Sequence, residues 1–115
     1  MKHRIVFRGE EDSISWDILH VYPKQGELTI QMTGQDSKHD ISVSFDEYDL
    51  FIRDFAHVQE SLQGEVVFEQ GVIRLRLRYD RLGRVFISWS DGQTNHQFRS
   101  DQSYLSEALA QLGVY

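Results

Sequence analysis

"IRLRLRYDRLGRVFISW", residues 73 to 89, decides how this chain is read. Ile73, Leu75, Leu77 and Tyr79 alternate with Arg74, Arg76 and Arg78, the period of a strand with one buried and one wet face. Val85, Ile87 and Trp89 repeat the alternation against Phe86 and Ser88. Between the two runs, Asp80 suits the first position of a type I turn and Gly83 the left-handed residue of a G1 bulge. That loop pairs Tyr79 with Val85, Leu77 with Ile87 and Leu75 with Trp89. Apolar meets apolar at every step, so the register supports itself.

Working outward, Gln70-Gly71 reads as a turn that sets Phe68 against Ile73 and Val66 against Leu75. Asp91-Gly92 reads as a two-residue hairpin placing Val85 beside Phe98, Ile87 beside His96 and Trp89 beside Thr94. On the polar face this register sets Glu65 opposite Arg76 and Glu69 diagonal to Arg74, with Asn95, Gln97 and Arg99 at the far side. Cross-strand charge pairs contribute roughly 0.2–1 kcal/mol each. Arg78 falls opposite Phe86, where its guanidinium can stack on the ring. The arginine stripe is therefore read first as a solvated face with local ion pairs. Its functional reading is a protein-docking face of Arg74, Arg76, Arg78 and Phe86, residue types favoured at interfaces.

The flanks follow the same periods. "HRIVF" is a short edge strand; Ile14, Trp16 and Ile18 alternate in "SISWDI"; Leu28, Ile30 and Met32 alternate in "ELTIQMT"; Ile41, Val43 and Phe45 alternate in "DISVSF". "PKQG" and "GQDSK" are the turns between them. The period then becomes helical. Tyr48, Phe51, Phe55, Val58 and Leu62 recur at three and four, Ser44 and Glu47 form a capping box, and Gly64 supplies a left-handed stop. A second helix follows Asp101 (or Ser100) as N-cap, turning Tyr104, Leu105, Ala108, Leu109 and Leu112 inward.

These elements give an α+β fold. It is mainly antiparallel sheet, about seven to eight short strands in two meanders, with one inserted helix and one C-terminal helix. The 115 residues read as a single domain: strand-rich 1–45, helix 46–63, β-meander 65–99, C-terminal helix 101–112.

Composition narrows the function classes. With 40% hydrophobic and 26% charged residues, the chain fits a soluble globular protein. Cysteine is absent, the start lacks an apolar signal core, and no apolar run could span a bilayer, so a cytoplasmic protein that does not enter the membrane is expected. The net charge of −6 argues against nucleic acid and for a basic protein partner.

No catalytic pattern emerges. His3, His20, His39, His57 and His96 are scattered without metal-ligand spacing, and P-loop, GxGxxG and GxSxG motifs are missing. His96 faces the core side of its strand and reads as half-buried and hydrogen-bonded; His57 reads as solvated. No enzyme activity, cofactor or metal is expected.

"SLQGEVVFE" (61–69), the quoted 73–89 segment and "HQFRSDQSYLSEALAQL" (96–112) together resemble the WapI-type immunity proteins of bacterial polymorphic toxin systems. Gly64-Glu65 ends the helix, Asp80 to Gly83 makes the D-x-x-G turn, and Phe98 to Leu105 carries the late "F-x-x-DQSYL". The likeness spans about residues 43 to 112, on scaffold rather than contact positions. It implies a non-enzymatic protein that neutralises a cognate toxin, such as a basic nuclease domain, by stoichiometric binding.

The acidic side chains Asp46, Glu47, Asp49 and Asp54 of the first helix, and Glu10, Glu11 and Asp12 of a loop, are the candidate contacts for that partner. Helix capping and solvation are their structural alternative. Two other readings stand beside immunity. The immunity reading expects a monomer or weak homodimer; one rival is a generic interaction or assembly module that uses the Phe86/Arg face or self-pairing of an edge strand, and it predicts dimers. The other is a small-molecule site around His96 and Trp16.

Overall fold

In the computed structural model, which describes residues 3–113, the alternating segments become two four-stranded antiparallel sheets. Sheet 1 holds β1 (His3–Arg8), β2 (Ser13–Tyr22), β3 (Glu27–Thr33) and β4 (Lys38–Ser44). Sheet 2 holds β5 (Gly64–Gln70), β6 (Ile73–Tyr79), β7 (Val85–Ser90) and β8 (Asn95–Ser100). Each is a meander in chain order; α1 (Phe45–Ser61) joins them and α2 (Gln102–Leu112) follows β8. The fold is α+β, as the residue periods require. No helix among the described residues is long and apolar enough to cross a membrane.

The inner faces and both helices share one core. At its centre, Trp16 and Phe7 of sheet 1 meet Phe68 of sheet 2 and Phe51 of α1. Ring centroids are 5.0 Å apart for Phe7–Trp16 and Trp16–Phe68, and 5.3 Å for Trp16–Phe51. Burying such a side chain contributes about 1.5–3 kcal/mol. α1 thus acts as a wedge on which both sheets close.

The first helix starts as its sequence dictates. Ser44 Oγ accepts the Glu47 amide at 3.0 Å, and Glu47 Oε1 accepts the Ser44 amide at 3.3 Å. Its end differs from the expected 46–63 span. The helix stops at Ser61, and Leu62, not Gly64, takes the left-handed cap (φ 59°), donating its amide to the Val58 carbonyl at 2.8 Å. Gly64 already pairs with Tyr79 in β5, so the reversal has to be complete two residues earlier. Leu62 consequently leaves the inward stripe and is 39% exposed.

The Asp80–Gly83 hairpin has the expected register. The two neighbouring hairpins are each shifted by two residues. Gln70, not Phe68, lies opposite Ile73, because Gly71 (φ 61°) is the first of two loop residues, the glycine position of a type II′ hairpin. Asn95 lies opposite Ser90, so Val85 faces Ser100, Ile87 faces Phe98 and Trp89 faces His96. Here the loop has four residues, because the Asp91 carboxylate gathers the amides of Gln93 (3.0 Å) and Thr94 (2.8 Å). A shift of two keeps every side chain on its face.

α2 is capped by Asp101, whose carboxyl is held below the usual range by donation from the Ser103 hydroxyl at 2.7 Å and the Ser103 amide at 2.8 Å. The helix buries Leu105, Ala108 and Leu112 and runs along β1. Gln111 covers the β1 edge: its side-chain oxygen accepts the Val6 amide at 2.9 Å, and its carbonyl meets the His3 ring nitrogen at 2.5 Å. Beyond β1, Gly9 bridges to Ser100, joining the two sheets along one seam. Across the other seam, the Gln70 side chain donates to the Ser42 carbonyl at 3.1 Å.

Candidate protein-docking surfaces

The first surface is the outward face of α1. Tyr48, Phe51, Phe55 and Val58 point into the core, which turns Asp46, Leu50 and Asp54 outward at spacings of four. The helix carries five carboxylates against the single Arg53, so this ridge is strongly negative. Leu50, 52% exposed, sits in the middle of it. A depression flanks the ridge on each side, the first apolar and the second mixed, with three carboxylates in its lining. One, of about 290 Å³, is lined by Val21, Pro23, Leu28, Phe45 and Tyr48 with Asp49 at its rim. The other, of about 140 Å³, lies between Glu47, Leu50 and Asp54 of α1 and Val67 and Glu69 of β5. Apolar anchoring points within a charged rim are the usual anatomy of a protein interface.

The structure brings Asp46, Glu47, Asp49 and Asp54 together on this helix but separates them from Glu10, Glu11 and Asp12. Those three form the β1–β2 turn and lie against β8. Asp12 Oδ2 is 2.9 Å from His96 Nε2, and its Oδ1 accepts the Gln35 side chain at 2.6 Å. The Glu10 amide bonds the Arg99 carbonyl at 2.9 Å, while Glu11 is exposed. Asp12 is thus a tie between the sheets, and Glu47 is part of the helix cap.

The second surface is the outer face of sheet 2. Arg74, Arg76 and Arg78 lie on it, with Phe86, Ser88 and Ser90 of β7 and Asn95, Gln97 and Arg99 of β8 alongside. Glu69 is directly opposite Arg74 rather than diagonal, and its carboxylate lies 3.1 Å from the guanidinium. Glu65 is opposite Arg78 rather than Arg76, yet its carboxylate reaches diagonally to Arg76. The expected ion pairs form, with the opposite and diagonal roles exchanged by the register shift. Arg78 stacks over Phe86 at 5.0 Å from the ring centroid, and Arg84 approaches the same ring at 5.9 Å.

Trp16 and His96 do not frame a small-molecule site. Trp16 is wholly buried among aromatic rings, while His96 is half-buried, bound to Asp12, and borders a different cavity. Among the described residues no three His, Asp or Glu side chains are grouped to hold a metal ion. Leu50 and the depression around Val21 and Phe45 were not legible as site residues. The available signal was that Leu50 falls outside the apolar stripe of its own helix.

No protein-family model matches the chain, and neither the curated proteins nor the solved structures provide a match that would assign it to a family.

Proposed function

We propose that this chain is a cytoplasmic, non-enzymatic immunity protein that neutralises a cognate bacterial toxin domain by binding it one to one. The observation that carries this reading is the α1 ridge: Asp46 and Asp54 on either side of exposed Leu50, between an apolar depression and one lined by Glu47, Asp54 and Glu69. A basic toxin surface would be steered to the carboxylates and anchored at the apolar positions. The resemblance adds the functional class. Its matching positions, Gly64-Glu65, Asp80–Gly83 and Phe98–Leu105, open β5, turn the central hairpin and lead from β8 into α2.

Co-expression with the toxin domain encoded beside it is the test. The chain should restore growth, and the double substitution Asp46→Lys with Asp54→Lys should abolish rescue while leaving the thermal transition in place. Equal killing with and without the native chain removes the immunity reading. Full rescue by the charge-reversed chain removes α1 as its contact surface.

A further inference from the structure

The outer face of sheet 2 has a relief that its ion pairs do not account for. Three strands place their outward side chains in cross-strand rungs: Arg74–Ser90–Asn95, then Arg76–Ser88–Gln97. The two serines are short, and the arginines on one side and the amides on the other are long. The result is a trough of about 320 Å³ running along β7. Its next rung, Arg78–Phe86–Arg99, is bulky and closes that end.

We propose that this trough is a second docking site, which takes an extended acidic segment of a partner protein. Its walls are rich in donors: two guanidinium groups face two side-chain amides, which both donate and accept, across hydroxyl-bearing residues, and Ser88 Oγ donates to Gln97 Oε1 at 3.5 Å. Residues 64–100 carry six arginines against four acids, a local excess of +2 in a chain of net −6. The site therefore selects the charge opposite to the one α1 selects. Arg74 and Arg76 are two residues apart on one strand, roughly 6.6 Å, and every second side chain of an extended peptide repeats at that distance. Carboxylates at alternate positions can thus meet both arginines at once.

The protein already holds stand-ins for such a ligand. Glu69 and Glu65 occupy Arg74 and Arg76, but all four side chains are about half-exposed. Exposed pairs of that kind are weak and exchange readily. Arg78 is committed to the Phe86 ring and has no carboxylate within 4.0 Å among the described residues. A nucleic acid fits less well. Glu65 and Glu69 repel phosphates, and Phe86 is the single stacking ring among the rungs.

The site is independent of the α1 ridge, so its test needs no toxin. A fluorescein-labelled octapeptide of alternating Glu and Thr is titrated against the full chain by anisotropy at low and high salt. Binding should weaken about tenfold or more with salt. It should be lost in Arg74→Gln/Arg76→Gln and in Ser88→Leu, which fills the floor without changing charge. Glu65→Gln/Glu69→Gln removes the internal competitors and should tighten binding by about threefold or more. Each variant's far-ultraviolet circular dichroism is compared with that of the native chain, to separate lost binding from lost fold. The proposal is overturned if neither the native chain nor Glu65→Gln/Glu69→Gln binds at millimolar peptide. It is equally overturned if Ser88→Leu binds like the native chain, or if single-stranded DNA of equal charge binds as tightly.

Discussion

His39 Nε2 of β4 lies 3.0 Å from Asp91 Oδ2 in the β7–β8 loop, so a histidine–aspartate pair ties sheet 1 to sheet 2. The second such tie, His96 with Asp12, runs the other way, from β8 to the β1–β2 turn. Asp91 is also the residue that gives its loop four members. Donation from the Thr94 amide, His39 and the Gln93 amide holds its carboxyl far below the usual range.

That depression sets a pH dependence. A carboxyl whose folded pKa lies below its unfolded value of about 3.9 stabilises the fold at every pH above that value. The contribution disappears as pH falls through 3.9 towards the folded pKa. The native chain should therefore lose stability more steeply than Asp91→Asn between about pH 4 and pH 2. At neutral pH, Asp91→Asn should be the less stable of the two. Urea midpoints across that range test this, and parallel curves would show that Asp91 is not the group responsible.

Gly9 stands where the two sheets touch. A Cβ there would lie 2.3 Å from Cδ2 of Phe98 and 2.7 Å from the Arg99 carbonyl oxygen. Gly9→Ala should cost about 1–3 kcal/mol, as overpacking of a rigid contact does. Chemical denaturation measures it. A neutral result would mean that the Gly9–Ser100 bridge yields without loss.

Leu62 holds a left-handed backbone while remaining 39% exposed. Leu62→Gly should raise stability by about 0.5–1 kcal/mol, since the αL conformation costs a branched residue roughly 1–2 kcal/mol and glycine's greater unfolded freedom offsets part of the gain. An unfolding midpoint below the native one would show that the leucine's contacts outweigh the strain.

Arg76 and Glu65 offer the opposite case, an exposed pair. A double-mutant cycle with Arg76→Gln and Glu65→Gln should give a coupling of about 0.2–1 kcal/mol that shrinks with added salt. Coupling that salt leaves unchanged would mark the pair as part of a more buried network.

What the sequence made legible was facing. Arg74, Arg76 and Arg78 could be assigned to the outer surface because the β6–β7 hairpin was readable and a shift of two residues elsewhere cannot move a side chain through a sheet. Loop lengths were harder. "QG" and "DG" each admit more than one hairpin, and the choice at Asp91 depended on its own side chain capturing two amides. The helix ends earlier than the glycine suggests: Gly64 does have a positive φ (99°), but it already pairs in β5, and the left-handed cap falls on Leu62. The acidic candidates divided because Asp12 meets His96, a neighbour 84 positions away that no local pattern announces.

β1 and α2 have a history implied by their contact. The first described strand and the last described helix are mutual neighbours: Gln111 satisfies the amide of Val6 and meets the ring of His3. During synthesis, the edge of β1 stays uncovered until residues as far along as Gln111 have left the ribosome. A nascent chain stalled before α2 emerges presents that edge, which invites strand pairing between molecules.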